Sequence, residues 1–341
     1  MPRSENGGIV GARNGTSISS AKGVFTAKSQ FVANIFGYWP RSGNIMVALS
    51  SSTSPYITTY SFSSLGFGSK YSDPGTLPAG TGNAAKFNTT GGALAVAHAT
   101  SPFISVYPWT TGSGFGSKFS NPGTLPAGTG NDVAFNSVGN IVVLAHTTSP
   151  FVAGYPWSDS TGFGTKYANP ASLPNNAAYG VDFYQDDVSI AHSGTGGPFI
   201  STYPIDSVSG FGTRYGNPAS LPPSTPNAVR FSPDGAVVIT AGATSPYIAA
   251  YPWSGAGYGT RYSNPTITNI GGAPNDASFA PSGGAFVVTN GDTSGGQKFI
   301  FGWPWNNGSG FGSPYSFTAA LLPGTGNGVK IHPDGNFIIF G

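Results

Sequence analysis

Several residue types in this chain recur at a spacing that could support chemistry. Three of its four histidines, His98, His146 and His192, follow one another at near-equal intervals. A histidine set of this kind could ligate a metal or relay protons. Asparagine recurs at Asn83, Asn131, Asn227, Asn275 and Asn327, and a ring of amides could hold water or an ion. Asp132 and Asp276 each follow one of these asparagines and could form a carboxylate pair. Cations recur at Lys70, Lys118, Lys166, Arg214 and Arg261, which could form a basic ring for an anionic partner. Trp109, Trp157, Trp253 and Trp305 could offer stacking platforms for sugar rings. Asp182, Asp186 and Asp187 form the one acidic cluster, and oxygen ligands of this kind suit calcium.

What positions these residues is a repeat of about 48 residues. Gly-Phe-Gly-[Ser/Thr]-[Lys/Arg]-[Tyr/Phe] starts at Gly66, Gly114, Gly162 and Gly210, and variants start at Gly257 and Gly310. A second marker, [Ser/Gly]-Pro-[Tyr/Phe]-[Ile/Val], starts at Ser54, Ser101, Ser149, Gly197 and Ser245. A fixed period in this range signals a repeat architecture. Residues 227–265 show one unit. Ala228–Phe231 alternates as a short strand, and Ser-Pro-Asp-Gly at 232–235 is a turn, with Pro fixing φ and Gly accepting φ > 0. Ala236–Ala241 is apolar on both faces, as a buried strand would be. Tyr247–Tyr251 reads as a third strand and Thr260–Ser263 as a fourth. Four short antiparallel strands without helical periodicity make one propeller blade.

The expected fold is therefore an all-β, seven-bladed β-propeller with four antiparallel strands per blade. First strands begin near Asn34, Ala84, Asp132, Gly180, Ala228, Asp276 and Gly328, and seven second strands follow them. Third and fourth strands number six, because the chain stops at Gly341, the last residue of NFIIFG. The expected division is an extended N-terminal segment, residues 1–32, and a propeller, residues 33–341. Gly8–Val10 and Val24–Ala27 are strand-like, so the first segment is expected to close the last blade, to attach to a neighbour, or both. A six-bladed ring with a spare hairpin is the alternative.

The repeat sets each candidate beside a plainer role. Packed sheets lie about 10 Å apart, whereas zinc ligands approach one ion to about 2 Å. Equivalent histidines of adjacent blades are thus expected to bond each to its own blade's turn. The asparagines are expected to satisfy local backbone groups. Asp132 and Asp276, three blades apart, are expected to face each other across the channel, too far apart for a catalytic pair. The cations are expected to protect outer strand edges, and the tryptophans to wedge between blades. Asp182, Asp186 and Asp187 are expected in a solvated turn. Gly-Phe-Gly is read as a repeated turn, since a phosphate loop needs a following helix.

Composition narrows the classes. The net charge is +2 with 8% charged residues, so neither a nucleic-acid partner nor an acidic one is expected. No cysteine is present, which excludes disulfides and thiolate metal sites. The opening MPRSENGGIV has no apolar core of signal-peptide length, and no apolar run nears 18 residues, so no membrane partner is expected. No cofactor or metal is expected.

Two resemblances follow. FSPDG at 231–235 and IHPDGNF at 331–337 resemble the first hairpin of WD-repeat and related bacterial propellers. The aromatic pairs Tyr107–Trp109, Tyr155–Trp157 and Tyr251–Trp253 stand where those repeats carry Trp-Asp, which is absent here along with Gly-His. Residues 7–40 are similar to a short module of tailed-phage structural and tail proteins, at Gly7–Gly11, Ser20, Ala21, Gly23–Phe25, Gln30, Phe31, Ala33, Trp39 and Pro40. This second resemblance implies a virion protein, made in the host cytoplasm, with other virion proteins and a host surface glycan or receptor as partners, in a symmetric assembly. On it rests the leading expectation of a non-enzymatic structural or binding component of a tailed-phage particle: a tail fibre, a tail tip or a head-surface protein. Interaction is expected through Ile9, Val10, Val24, Phe25, Lys118, Lys166 and Arg214. A free carbohydrate-binding propeller is the alternative, and a polysaccharide hydrolase or lyase working at the channel mouth is the third reading.

Overall fold

The computed structural model describes residues 24–26, 30–32, 45–63, 66–266, 272–290, 300–316, 327–331 and 338–340. These residues contain no helix and form seven sheets. Blade two is representative, with strands Gly82–Phe87, Ala93–His98, Ile104–Thr110 and Gly114–Phe115 joined antiparallel in chain order. Blades three, four and six repeat it from Gly130, Ala178 and Pro274. Blade one runs Gln30–Val32, Ile45–Ser51, Ile57–Ser63 and Gly66–Lys70. Its inner strand thus lies ahead of the expected Asn34. In blade seven, Val329–Ile331 and Ile338–Phe340 pair antiparallel, and Val24–Thr26 adds to the latter in parallel. Successive inner strands contact one another, and blade seven touches the inner strand of blade one, so the ring is closed. The seven-bladed propeller is the observed fold, and the six-bladed alternative is set aside.

The outermost strands are shorter than the sequence suggests. In blades two, three, four and six each is a Gly-Phe pair alone. Thr260–Ser263 is not a strand; blade five ends on a single bridge between Trp253 and Tyr258. The Gly-Phe-Gly motif explains this economy. Gly114 has φ of 84°, and a Cβ there would lie 3.2 Å from the ring of Tyr71 in the preceding blade. Phe115 sets its ring edge-on to Tyr107 and Trp109, with centroids 5.3 and 5.0 Å away. Gly116 backs onto Pro108, which a Cβ would meet at 3.0 Å. Two residues of strand therefore suffice, because the aromatic ring does the packing.

The tryptophans wedge between blades. Trp109 lies between Tyr71 of blade one and Phe87 and Phe115 of its own blade. Trp157, Trp253 and Trp305 repeat the arrangement with Phe119, Tyr215 and Tyr262 of the preceding blades. All four are buried, so none is a sugar platform. Edge-to-face pairs of this kind contribute about 0.5–1.5 kcal/mol beyond their buried area. The neighbouring Tyr107, Tyr155 and Tyr203 each donate a hydroxyl to a carbonyl of the preceding linker, Thr76, Thr124 and Ser172.

The histidines close the second strands, fully buried. The Ser-Pro-aromatic marker folds over each of them: Phe103 N–H donates to Thr100, and His98 N–H donates to Phe103. His98 and His192 bond Ser105 and Ser201 through Nε2, both at 3.0 Å, within their own blades. In blade three the equivalent residue is Ala153, and neither ring nitrogen of His146 meets a side-chain hydroxyl. Among the described residues no group of three potential ligands could hold a metal ion.

Two expected outcomes follow from these histidines. Ala153→Ser places on His146 the hydroxyl that its two counterparts have, and should raise stability by about 1 kcal/mol, read as a higher urea midpoint. An unchanged or lower midpoint contradicts this assignment. Burial also pushes the pKa of His98 and of His146 down to about 4. Between pH 6.5 and 4 the unfolded chain then binds the proton and the folded chain does not. Stability should fall with falling pH across that window, by about 1.4 kcal/mol per unit for each histidine. Urea midpoints at pH 7, 5 and 4 should show a shallower loss for His146→Asn, the residue that stands at this position in blade six. Equal slopes would show that His146 does not titrate in this way.

Candidate functional site at the channel mouth

The inner strands of blades two to six each begin with a bulge. The register shifts between Gly82 and Ala84, Gly130 and Asp132, Ala178 and Gly180, Pro226 and Ala228, and Pro274 and Asp276. A bulge leaves one residue unpaired and re-aims its side chain. In four of these blades that residue is asparagine. Asn83, Asn131 and Asn227 donate to Gly130, Ala178 and Pro274 carbonyls of the next blade at 2.6–2.9 Å. Asn275 reaches the side chain of Asn327 at 3.5 Å. The amides thus bridge blades and do not serve local backbone, as the sequence reading had it. Since an Asn amide has two donors and one acceptor, Asn83, Asn131 and Asn227 each keep an N–H and a carbonyl oxygen.

These asparagines line a cavity of about 280 Å³ at one end of the channel, together with Ala84, Tyr179, Asp132, Asp276 and Arg230. Arg230 lies between the two aspartates that face each other across the channel. Its Nη2 lies 2.5 Å from Asp276 and its Nη1 3.5 Å from Asp132, so one guanidinium reaches both across the ring. The fork geometry of arginine allows this. Its Nε and Nη1 also donate to the Ala277 and Val229 carbonyls.

Deeper in the channel Lys86 pairs with Asp182 at 3.4 Å, and both are buried. Asp182 is therefore no part of a solvated turn. Its former companions serve elsewhere: Asp187 accepts from Tyr215 and Trp253, and Asp186 from Asn136. Burial pushes the Lys86 ammonium below its ordinary pKa, opposed chiefly by Asp182. Lys330, also in the channel, is lowered to about 7 by burial and then by the charges of Arg230 and Lys86. Burial raises Asp132, opposed by Lys86 and Arg230. The neighbouring carboxylates hold Arg230 above the ordinary arginine value despite its burial.

The carboxylates also serve the backbone. Asp132 accepts from Val133 N–H at 2.9 Å and from Val181 N–H of the next blade at 3.1 Å. Asp276 accepts from Ala277 and, in the next blade, Val329. Asp182 accepts from Phe231. Asp276 carries the close guanidinium as well, whereas Asp132 retains acceptor capacity toward the cavity.

The cation row lies apart from this site. Lys70 pairs with Asp73 at 2.7 Å, Lys166 donates to Asn169 at 2.6 Å, and Lys118 and Arg261 bond Asn121 and Asn264. Arg214 meets Ser201. In blades two to five these cations lie beyond the last assigned strand, whereas Lys70 ends the outermost strand of blade one. Val24 and Phe25 pair with Ile338 and Ile339; Ile9 and Val10 lie outside the described residues. The sequence reading missed Arg230, Lys86 and Lys330. The signal was there, since each is a cation one residue before an apolar residue at the end of an inner strand, where blades three, four and six carry Ala134, Asp182 and Ser278.

No family model and no curated protein matches the sequence. Among solved structures the chain is similar to a Bacteroides uniformis protein proposed to be a 6-phosphogluconolactonase, with 14% identity, a TM-score of 0.65, and coverage of 88% of this chain and 89% of that one. At this identity the likeness carries the propeller fold. Against the expectation of a non-enzymatic component of a phage particle, the propeller that this chain resembles is one proposed to be an enzyme.

Proposed function

We propose that the protein is a hydrolase acting at the channel mouth on a small, neutral, sugar-derived lactone. The observation that carries this reading is the cavity itself, where spare amide donors and acceptors surround a carboxylate of raised pKa. Its volume of about 280 Å³ suits one sugar ring and not a polymer. Amides are suited to hydroxyl groups, and a few convergent polar groups in a concavity mark a ligand site. The structural relative supplies the reaction type.

Asp132 is the general base. Its pKa is raised by burial, which brings a carboxylate nearer the working pH and makes it a better base. Asp132 takes a proton from water as the oxygen attacks the lactone carbonyl. The spare N–H groups of Asn83 and Asn131 stabilise the developing oxyanion. The ring C–O bond then breaks, and the departing oxygen takes the proton back from Asp132 to give the open hydroxy acid. Arg230 is engaged by two carboxylates and two carbonyls, and its charge is matched by the carboxylates. It holds the site's geometry and offers no free charge to a phosphate, so the substrate is the neutral lactone.

The test is hydrolysis of D-glucono-1,5-lactone, followed by proton release above the spontaneous rate, with the 6-phosphate ester compared in parallel. The neutral lactone should turn over with the higher kcat/KM. Asp132→Asn should lower the rate at least about 100-fold in a protein whose melting curve remains cooperative. A wild-type rate equal to background, or a fully active Asp132→Asn, overturns the reading.

A further inference from the structure

The asparagine ring has one exception. Where blades two, three, five and six place asparagine, blade four places Tyr179. The substitution changes three things at once. The amide bridge to the next blade is lost: no described residue bonds the Tyr179 hydroxyl, whereas Asn131 and Asn227 on either side each reach a carbonyl. The side chain is 36% exposed, as one of the few exposed large hydrophobic residues. It lines the cavity as its one aromatic member, among amides and charges.

The backbone compensates for the missing bridge. The next residue is Gly180, where the equivalent positions of blades three and six carry Asp132 and Asp276. A Cβ at Gly180 would lie 3.1 Å from the Asn227 carbonyl oxygen and from the Val229 nitrogen. The inner strand of blade four therefore lies directly against that of blade five, held by close contact instead of by an amide. The tyrosine is left with no hydrogen bond and no contact with another described aromatic ring, at the rim of a polar cavity.

We infer that Tyr179 is the ring-stacking platform of a carbohydrate site: its face takes the C–H face of a cyclic sugar-derived ligand while the asparagines opposite take the hydroxyls. An aromatic face excludes water from the apolar side of such a ring, and a few polar groups fix its orientation. This inference rests on the channel mouth being the ligand site, but it does not require turnover. It places specificity in the shape of the ligand. A closed ring presents a flat C–H face, and an open-chain polyol with the same hydroxyls does not.

The experiment is titration calorimetry with D-glucono-1,5-lactam, a ring that is not hydrolysed as an ester, and with D-glucitol as the open-chain control. Tyr179→Phe keeps the face, and Tyr179→Asn restores the residue found in the other blades, so both should fold. Wild type and Tyr179→Phe should bind the lactam within about 2-fold of each other, and Tyr179→Asn at least about 10-fold more weakly, the loss of one stacked face. D-Glucitol should bind more weakly than the lactam and with no dependence on residue 179. Equal lactam binding by Tyr179→Asn overturns the inference. So does an equal loss in Tyr179→Phe, which would place the effect in the hydroxyl, and so does a wild type that binds neither probe. Lactam binding that depends on the ring, without lactone turnover, would sink the hydrolase and leave the platform standing. Asp132-dependent turnover with unchanged KM in Tyr179→Asn would do the reverse.

Discussion

The constraint on which the rest depends is the free edge of each inner strand. Seven strands bring one unpaired edge apiece to the channel, and a buried N–H without a partner costs as much as a lost hydrogen bond. No further strand fits at the axis, so side chains must supply the acceptors. Asp132, Asp182 and Asp276 do so, each bonding an amide of the next blade. Each bond crosses a blade boundary and fixes the height of one inner strand against the next. A carboxylate bonded to amides in this way is charge-assisted and strong.

Three buried carboxylates create a second demand, since isolated charges in a low-dielectric interior are costly. Lys86, Arg230 and Lys330 meet it from the inner strands of blades two, five and seven. The sequence of residues one level above shows how sparing the solution is. At the level of Asp132 the six blades from two to seven read Ala84, Asp132, Gly180, Ala228, Asp276, Gly328. Each aspartate serves its own blade's amide and the next blade's. One carboxylate thus covers two strands, and the blade after it carries glycine. Around Gly180 that absence of a side chain is used for close approach to blade five.

This explains what the sequence could and could not reveal. The blades were legible because aromatic packing repeats with the period: Gly114, Phe115, Tyr107 and Trp109 have counterparts in nearly every unit. The burial of the histidines followed from their place at the ends of apolar strands. The channel charges were not legible, because they do not repeat blade by blade. Lys86, Asp182, Arg230 and Lys330 occupy equivalent positions but differ in kind, and a period search averages them away. Asp182 was further obscured by lying near Asp186 and Asp187, with which it shares neither direction nor partner. The asparagines were legible as a ring, yet their cross-blade bonds depend on bulges that no residue pattern announces.

The same asymmetry gives the molecule a site. In a perfectly repeated ring every channel position would be identical, and opposite groups would repel or cancel. Here two aspartates three blades apart share one arginine, which sits close to Asp276 and farther from Asp132. The guanidinium therefore holds one carboxylate closely, while burial raises the pKa of the other beside the same cavity. Two chemically identical side chains are driven to different tasks by their distance from a single cation. The structural stitching and the proposed chemistry thus use the same atoms. Removing Arg230 would then disturb more than a salt bridge, because it would leave both carboxylates and two strand carbonyls without their shared donor.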